Sequence, residues 1–185
     1  MTNVTLQGRV VIVTGPPGAG KTTVSRAIAE TAGEPGGAHL HGDDFLGYIR
    51  KGFIPPHLPA SRHQNATLSR ALAAAACGYA GGGYLTLLDW VVGPWLLDVY
   101  RTEAVRTGVG LDYVVLRPSL ERAAARSLAR PHYPIVDYDH LGPLYHQLSR
   151  LGDFEPHALD TTELSPDETV SAVQAGLAAG RFRLL

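Results

Sequence analysis

Lysine is nearly missing from this chain. Of its 185 residues only Lys21 and Lys51 are lysines, against fourteen arginines, so the place where a lysine does stand asks for a reason. Cysteine is scarcer still. Cys77 alone excludes an intrachain disulfide and any multi-cysteine zinc site. It lies in an alanine-rich stretch, where a small buried thiol is the plain reading. Charge of one sign is also lacking: the formal net charge is -1, so no pull toward nucleic acid or an anionic membrane is expected, and neither is counted as a partner. No apolar run reaches the roughly 18 residues of a membrane span, and residues 1–8 have neither the basic flank nor the apolar core of a signal peptide. A soluble cytoplasmic protein is the expectation. Repeats and linkers are absent, and the length suits one domain with a core of its own.

What is present is an alternation of β-branched runs and amphipathic stretches. Residues 10–14, Val-Val-Ile-Val-Thr, read as a strand buried on both faces. Residues 22–32 read as a helix ended by Gly33. Residues 38–41, 84–88, 111–116 and, more weakly, 154–159 read as further strands. Residues 62–80, 94–107, 119–129, 137–151 and 166–179 read as helices, the last opened by the capping box Ser165-Pro166-Asp167-Glu168. Residues 54–59 are too rich in proline for regular structure. Strands alternating with helices predict an α/β fold with a parallel sheet covered on both sides.

Between the first strand and the first helix stands Gly15-Pro16-Pro17-Gly18-Ala19-Gly20-Lys21-Thr22, a full match to G-x-x-x-x-G-K-[ST]. Its glycines let the backbone wrap phosphates with N–H groups inward, and the following helix turns its positive end to the anion. Lys21 reaches the β- and γ-phosphates, and the Thr22 hydroxyl takes a Mg²⁺ position. One of two lysines thus occupies the place where a compact ammonium is required. Residues 15–22 with Thr23 form the expected nucleotide cradle. No Asn-Lys-x-Asp guanine motif appears, which favours ATP over GTP.

Asp43 and Asp44 follow the second strand. Ligands of parallel sheets gather outside the carboxyl ends of the strands, so these acids are expected to face the same crevice as the loop. A kinase needs a carboxylate to accept the proton of the attacked hydroxyl. Asp43 is the preferred base and Asp44 a substrate contact, although either also suits a helix N-terminus. Asp89 ends the third strand in the form of a Walker-B acid, and is assigned either to Mg²⁺ or to the substrate. His39 and His41 alternate on one strand face, which raises a metal reading, but no third ligand stands at a suitable spacing, so zinc is not expected. Trp90 and Trp95 are read as core or pocket wall, with core preferred.

Loop, acidic turn and an arginine-bearing helix after strand four, taken in order, resemble the small-molecule kinases of the shikimate kinase, gluconate kinase and chloramphenicol phosphotransferase group. The resemblance implies a three-layer P-loop fold with five parallel strands in the order 2-3-1-4-5. It implies a lid at about residues 126–140 and, on the helix leading into it, Arg122, Arg126 and Arg130, spaced by four on one face, which close over the phosphates. Arg126 and Arg130 are the catalytic candidates and Arg122 a nucleotide contact; a plain solvated face is the competing reading. Pro131-His132-Tyr133 and His146-Gln147-Leu148 bear a loose likeness to gluconate kinase segments. By the same resemblance Asp160 and Thr161 lie against adenine, and residues 43–80 bind the acceptor. Within that segment Arg50, Lys51 and Arg62 either hold an anionic or polyhydroxylated acceptor or are surface charges. The activity so implied is ATP-dependent phosphoryl transfer to a hydroxyl of a sugar acid, polyol or antibiotic, by a monomer or homodimer. A nucleotide-dependent regulatory ATPase without an acceptor is the alternative.

Overall fold

The computed structural model describes residues 6–128 and 138–185, the side chains of 138–141 excepted. The first strand is β1 (Arg9–Thr14), followed by α1 (Lys21–Glu30), β2 (Gly37–His41) and a short α2 (Gly42–Gly47). The long α3 (Arg62–Gly81) leads to β3 (Leu85–Asp89), α4 (Leu97–Thr107) and β4 (Gly110–Leu116). Then come α5 (Leu120–Leu128), α6 (Tyr138–Leu148), β5 (Ala158–Leu159) and α7 (Pro166–Ala178). The strands form one sheet in the order β2-β3-β1-β4-β5, all pairs parallel. Architecture and strand order agree with the expectation from the sequence.

Val10, Val11, Ile12 and Val13 are at most 1% exposed because helices cover both faces of the central strand. One face carries Val11, Val13, Leu87, Val114 and Leu116 under Val24 and Ile28 of α1 and Val173 and Leu177 of α7. The other carries Val10, Ile12, Leu88, Tyr113 and Val115 under α3 and α4. Helix α3 earns its place by spacing: Leu68, Leu72, Ala76 and Ala80 recur every four residues, and Ala73 and Cys77 fill the same stripe. Cys77 is buried, as its surroundings suggest.

The last strand is shorter than the sequence suggests. Residues Gly152–His157 form a 3-10 turn, and only Ala158 and Leu159 pair with β4. Pro156 has no N–H to give a ladder, which ends the strand on its amino side. The C-terminus is tied back by Arg9, whose Nε donates to buried Asp112 at 2.7 Å while another guanidinium nitrogen donates to the Leu185 carbonyl at 2.9 Å. Among the described residues, no helix is long and apolar enough to cross a membrane.

Leu72 is fully buried between α3 and the sheet. Truncation to alanine is expected to lower unfolding free energy by about 2–5 kcal/mol, read as a shift in the urea midpoint at unchanged slope.

Candidate functional site

The parallel register aligns the carboxyl ends of three strands. Val13 of β1 pairs with Asp89, and Asp89 pairs with His41 of β2. The phosphate loop therefore leaves the sheet beside Asp89, and α2 starts beside both.

Gly20, with φ +93°, caps α1, and Lys21 is its first residue. The loop is closed by Ala19 N–H donating to Pro16 O at 3.1 Å, and Lys21 Nζ donates to the carbonyls of Gly15 and Pro16 at 3.1 and 3.2 Å. Pro16 and Pro17 have no N–H, so they shape the loop rather than donate to an anion; the donors come from the glycines and the first turn of α1. Thr14 Oγ1 accepts from Val92 N–H at 2.9 Å, and Tyr113 Oη donates to Val92 O at 2.8 Å. These bonds fasten the end of β1 to the chain leaving β3.

Asp89 is 1% exposed. Its Oδ2 accepts from His41 Nδ1 at 2.9 Å and lies 3.5 Å from His39 Nε2, while its Oδ1 is buried without a hydrogen-bond partner. Burial by itself pushes this carboxyl up. The His39 and His41 imidazoles, the Lys21 charge and the Thr22 hydroxyl outweigh it and hold the group well below the usual carboxylate range. His41 is raised above its ordinary value by the hydrogen bond to Asp89, against the opposing effect of burial and with help from the charges of Asp89, Asp43 and Asp44. The sequence missed this cluster because it sought a third ligand along the chain, whereas Asp89 comes from the neighbouring strand.

Asp43 and Asp44 are exposed in the first turn of α2, whose N-cap is His41. Asp43 Oδ2 lies 3.6 Å from His41 Nε2. Both acids therefore decorate a helix N-terminus and stand at the carboxyl edge of the sheet at once. Gly42 is needed here: a Cβ would collide with the ring of Trp90, which is buried. Trp95 departs from the core expectation, being 54% exposed.

Ser119 caps α5 by accepting the Arg122 N–H at 3.2 Å. Arg122 Nε donates to Thr162 O at 3.2 Å, and Arg126 donates to the carbonyls of Thr161 and Leu164 at 3.4 and 3.2 Å. The two guanidinium groups thus brace the chain after β5. Arg126 also lines a cavity of about 290 Å³ with Gly18, Ala19, Gly20, Thr23 and Leu164. Thr161 is fully buried, while Asp160 is exposed and accepts from Thr162 N–H at 2.9 Å, an Asx turn that shapes this wall. Arg130 and Pro131-His132-Tyr133, with most of the expected lid, lie outside the described residues.

On the far side of α2, Arg50, Lys51 and Arg62 are exposed. The proline-rich segment is held by the start of α3. Gln64 accepts from Ile54 N–H at 2.8 Å and donates to Ile54 O at 2.7 Å, and Asn65 donates to Pro56 O at 2.8 Å.

A parallel sheet with this strand order and this loop define a protein with the P-loop kinase-like fold. The chain belongs to the AAA domain family, whose model matches residues 11–136. Its fold is similar to that of a gluconokinase from Sinorhizobium meliloti 1021, at 23% identity, with 93% of each chain covered and a TM-score of 0.67. It is similar to the APS kinase of Mycobacterium tuberculosis in complex with AMPPNP and APS, at 20% identity over 92% of this chain and 98% of that one, TM-score 0.66. It is also similar to a shikimate kinase from Acinetobacter baumannii in complex with shikimate, at 16% identity over 93% and 94%, TM-score 0.63. No curated protein matches the sequence.

Gly18 adopts φ +80°, and a Cβ there would collide with the Ala123 carbonyl of α5. Gly18→Ala is expected to destabilise the fold by about 1–3 kcal/mol and to weaken binding of a fluorescent ATP analogue, checked by melting and by titration. The His41–Asp89 pair makes a separate prediction. A raised histidine contributes stability that is fully present below its ordinary value of 6.5 and is lost as pH rises through the folded value. The melting temperature of wild type should therefore exceed that of His41→Gln most at pH 5–6, and the gap should shrink toward pH 8.5.

Proposed function

We propose that this protein transfers the γ-phosphoryl of ATP to a hydroxyl of a small molecule. The observation that carries the reading is the row formed at the carboxyl edge of the sheet by the phosphate loop, buried Asp89 and exposed Asp43, joined through His41. Phosphoryl transfer asks the protein for positioning and for charge at the transferring group, with little covalent work. The loop amides and Lys21 supply the charge, and Arg126 at the cavity wall is placed to swing from the Thr161 and Leu164 carbonyls toward the nucleotide. Arg122 steadies the same wall, and Arg130 is retained as a second lid arginine.

Thr22 and Asp89 fit a nucleotide-borne Mg²⁺: one offers a hydroxyl at the start of α1, the other an ionised carboxylate with a buried oxygen lacking a partner. The ion supplies neutralisation of phosphate charge when bound. Asp43, exposed and held by no strong hydrogen bond, is free to accept the proton of an incoming hydroxyl. His41 Nε2 stands 3.6 Å from the Asp43 Oδ2. Asp44, Arg50 and Arg62 border the acceptor side, and their exposure suits an acceptor that is itself polar or anionic. Asp160 and Thr161 form the wall proposed for adenine.

The test is ATP consumption in the presence of sugars, sugar acids, polyols, hydroxy acids, nucleosides and hydroxyl-bearing antibiotics. Lys21→Ala is expected to lower turnover with the active acceptor by at least about 100-fold. Asp43→Ala should keep ATP affinity and lose about 10²- to 10⁴-fold in kcat. Normal phosphorylation by Asp43→Ala would overturn the base assignment. Steady hydrolysis that no acceptor stimulates would favour a regulatory ATPase instead.

A further inference from the structure

His39 and His41 project from one face of β2, and Asp89 meets them from the paired position on β3. One ligand atom from each of the three lies within 4.8 Å of the others. Asp89 Oδ2 is the atom they share, 2.9 Å from His41 Nδ1 and 3.5 Å from His39 Nε2. Tetrahedral coordination with metal–ligand bonds near 2.0 Å separates neighbouring ligand atoms by about 3.3 Å. The two separations seen here fall on either side of that value.

The pair of imidazoles is poorly served by one carboxylate oxygen. His41 takes the hydrogen bond, and His39 Nε2 is left buried with no hydrogen-bond partner, a costly arrangement for a polar atom. A cation accepting lone pairs from both rings and from Oδ2 would satisfy all three groups at once. The surroundings continue the pattern, since a metal-bound histidine commonly offers its other nitrogen to a carboxylate. Here His41 Nε2 faces Asp43 Oδ2 at 3.6 Å.

We propose that His39, His41 and Asp89 form a binding site for a first-row transition-metal dication of the Zn²⁺ class. Two imidazoles and one carboxylate suit zinc, cobalt or manganese, whereas magnesium and calcium prefer all-oxygen sets. The site is therefore chemically distinct from that of a nucleotide-borne Mg²⁺, although Asp89 is common to both: Oδ2 turns to the imidazoles and Oδ1 does not. A metal held here would fix the ring of His41 and through it the start of α2, where Asp43 stands.

The inference is independent of the kinase reading, and its test uses no nucleotide. Metal-free full-length protein is titrated with Co²⁺, following visible d–d absorption and the metal bound at equilibrium dialysis. One Co²⁺ per chain is expected, displaced by Zn²⁺ and not by millimolar Mg²⁺. His39→Gln, whose fold is checked by circular dichroism, should weaken binding by at least about 10-fold; His41→Gln serves as a second variant should the first fail to fold. No uptake by wild type, or uptake that neither histidine variant weakens, overturns the proposal and leaves the kinase reading standing.

Discussion

A carboxylate taken out of water must find partners or give up its charge, and Asp89 keeps its charge while almost wholly buried. Its partners come from two places: His39 and His41 on β2, Lys21 and Thr22 at the start of α1. Each partner is held by its own element, so the ionised group ties the second strand, the third strand and the phosphate loop into one unit. Removing the charge would release an imidazole pair and loosen the ammonium that the loop carbonyls cradle. The elements it gathers are the second and third strands and the loop of the P-loop fold.

That gathering works only because the sheet is parallel. Parallel strands all end at one edge, and the register sets Val13, Asp89 and His41 in a row across three of them. The row is kept rigid from below by the apolar layers on both faces and from the side by Val92, whose N–H and carbonyl are each claimed, by Thr14 and Tyr113. A hydroxyl from the first strand and a phenol from the fourth thus fix the chain that leaves the third. Such bonds stiffen the site without entering it.

How much of this the sequence disclosed depends on the range of the interaction. The phosphate loop, the sheet order implied by kinase resemblance, and the capping box at Ser165 and Glu168 were legible, since each is carried by neighbours in the chain or by a strict spacing. Continuous apolar runs, buried on both faces, made the central strands plain, and only the last was overread, where Phe154 promises a strand that Pro156 refuses. Contacts between distant segments were not legible. Gln64, within the segment assigned to the acceptor, pairs with the backbone of Ile54, a role no local pattern marks. Trp90 and Trp95 look alike in sequence, yet one packs over Gly42 and the other faces solvent, because only the first meets α2. The histidines of β2 gained their meaning from a residue some fifty positions away, supplied by strand pairing.

The two sides of the crevice differ in how they are built, and the difference bears on what each can recognise. The side at the phosphate loop is made of backbone: loop amides, helix ends and carbonyls that Arg122 and Arg126 hold in place. Backbone geometry changes little when side chains are exchanged, so the fold that shapes this loop persists at the low identities that separate this chain from the gluconokinase, APS kinase and shikimate kinase structures. The opposite side is made of exposed side chains on α2 and the proline-rich segment, anchored at a few points by Ser61, Gln64 and Asn65. There each substitution alters charge and shape directly. A shared fold therefore carries the backbone side of the crevice from one protein to the next, and whatever the side-chain side recognises has to be read from this chain's own residues.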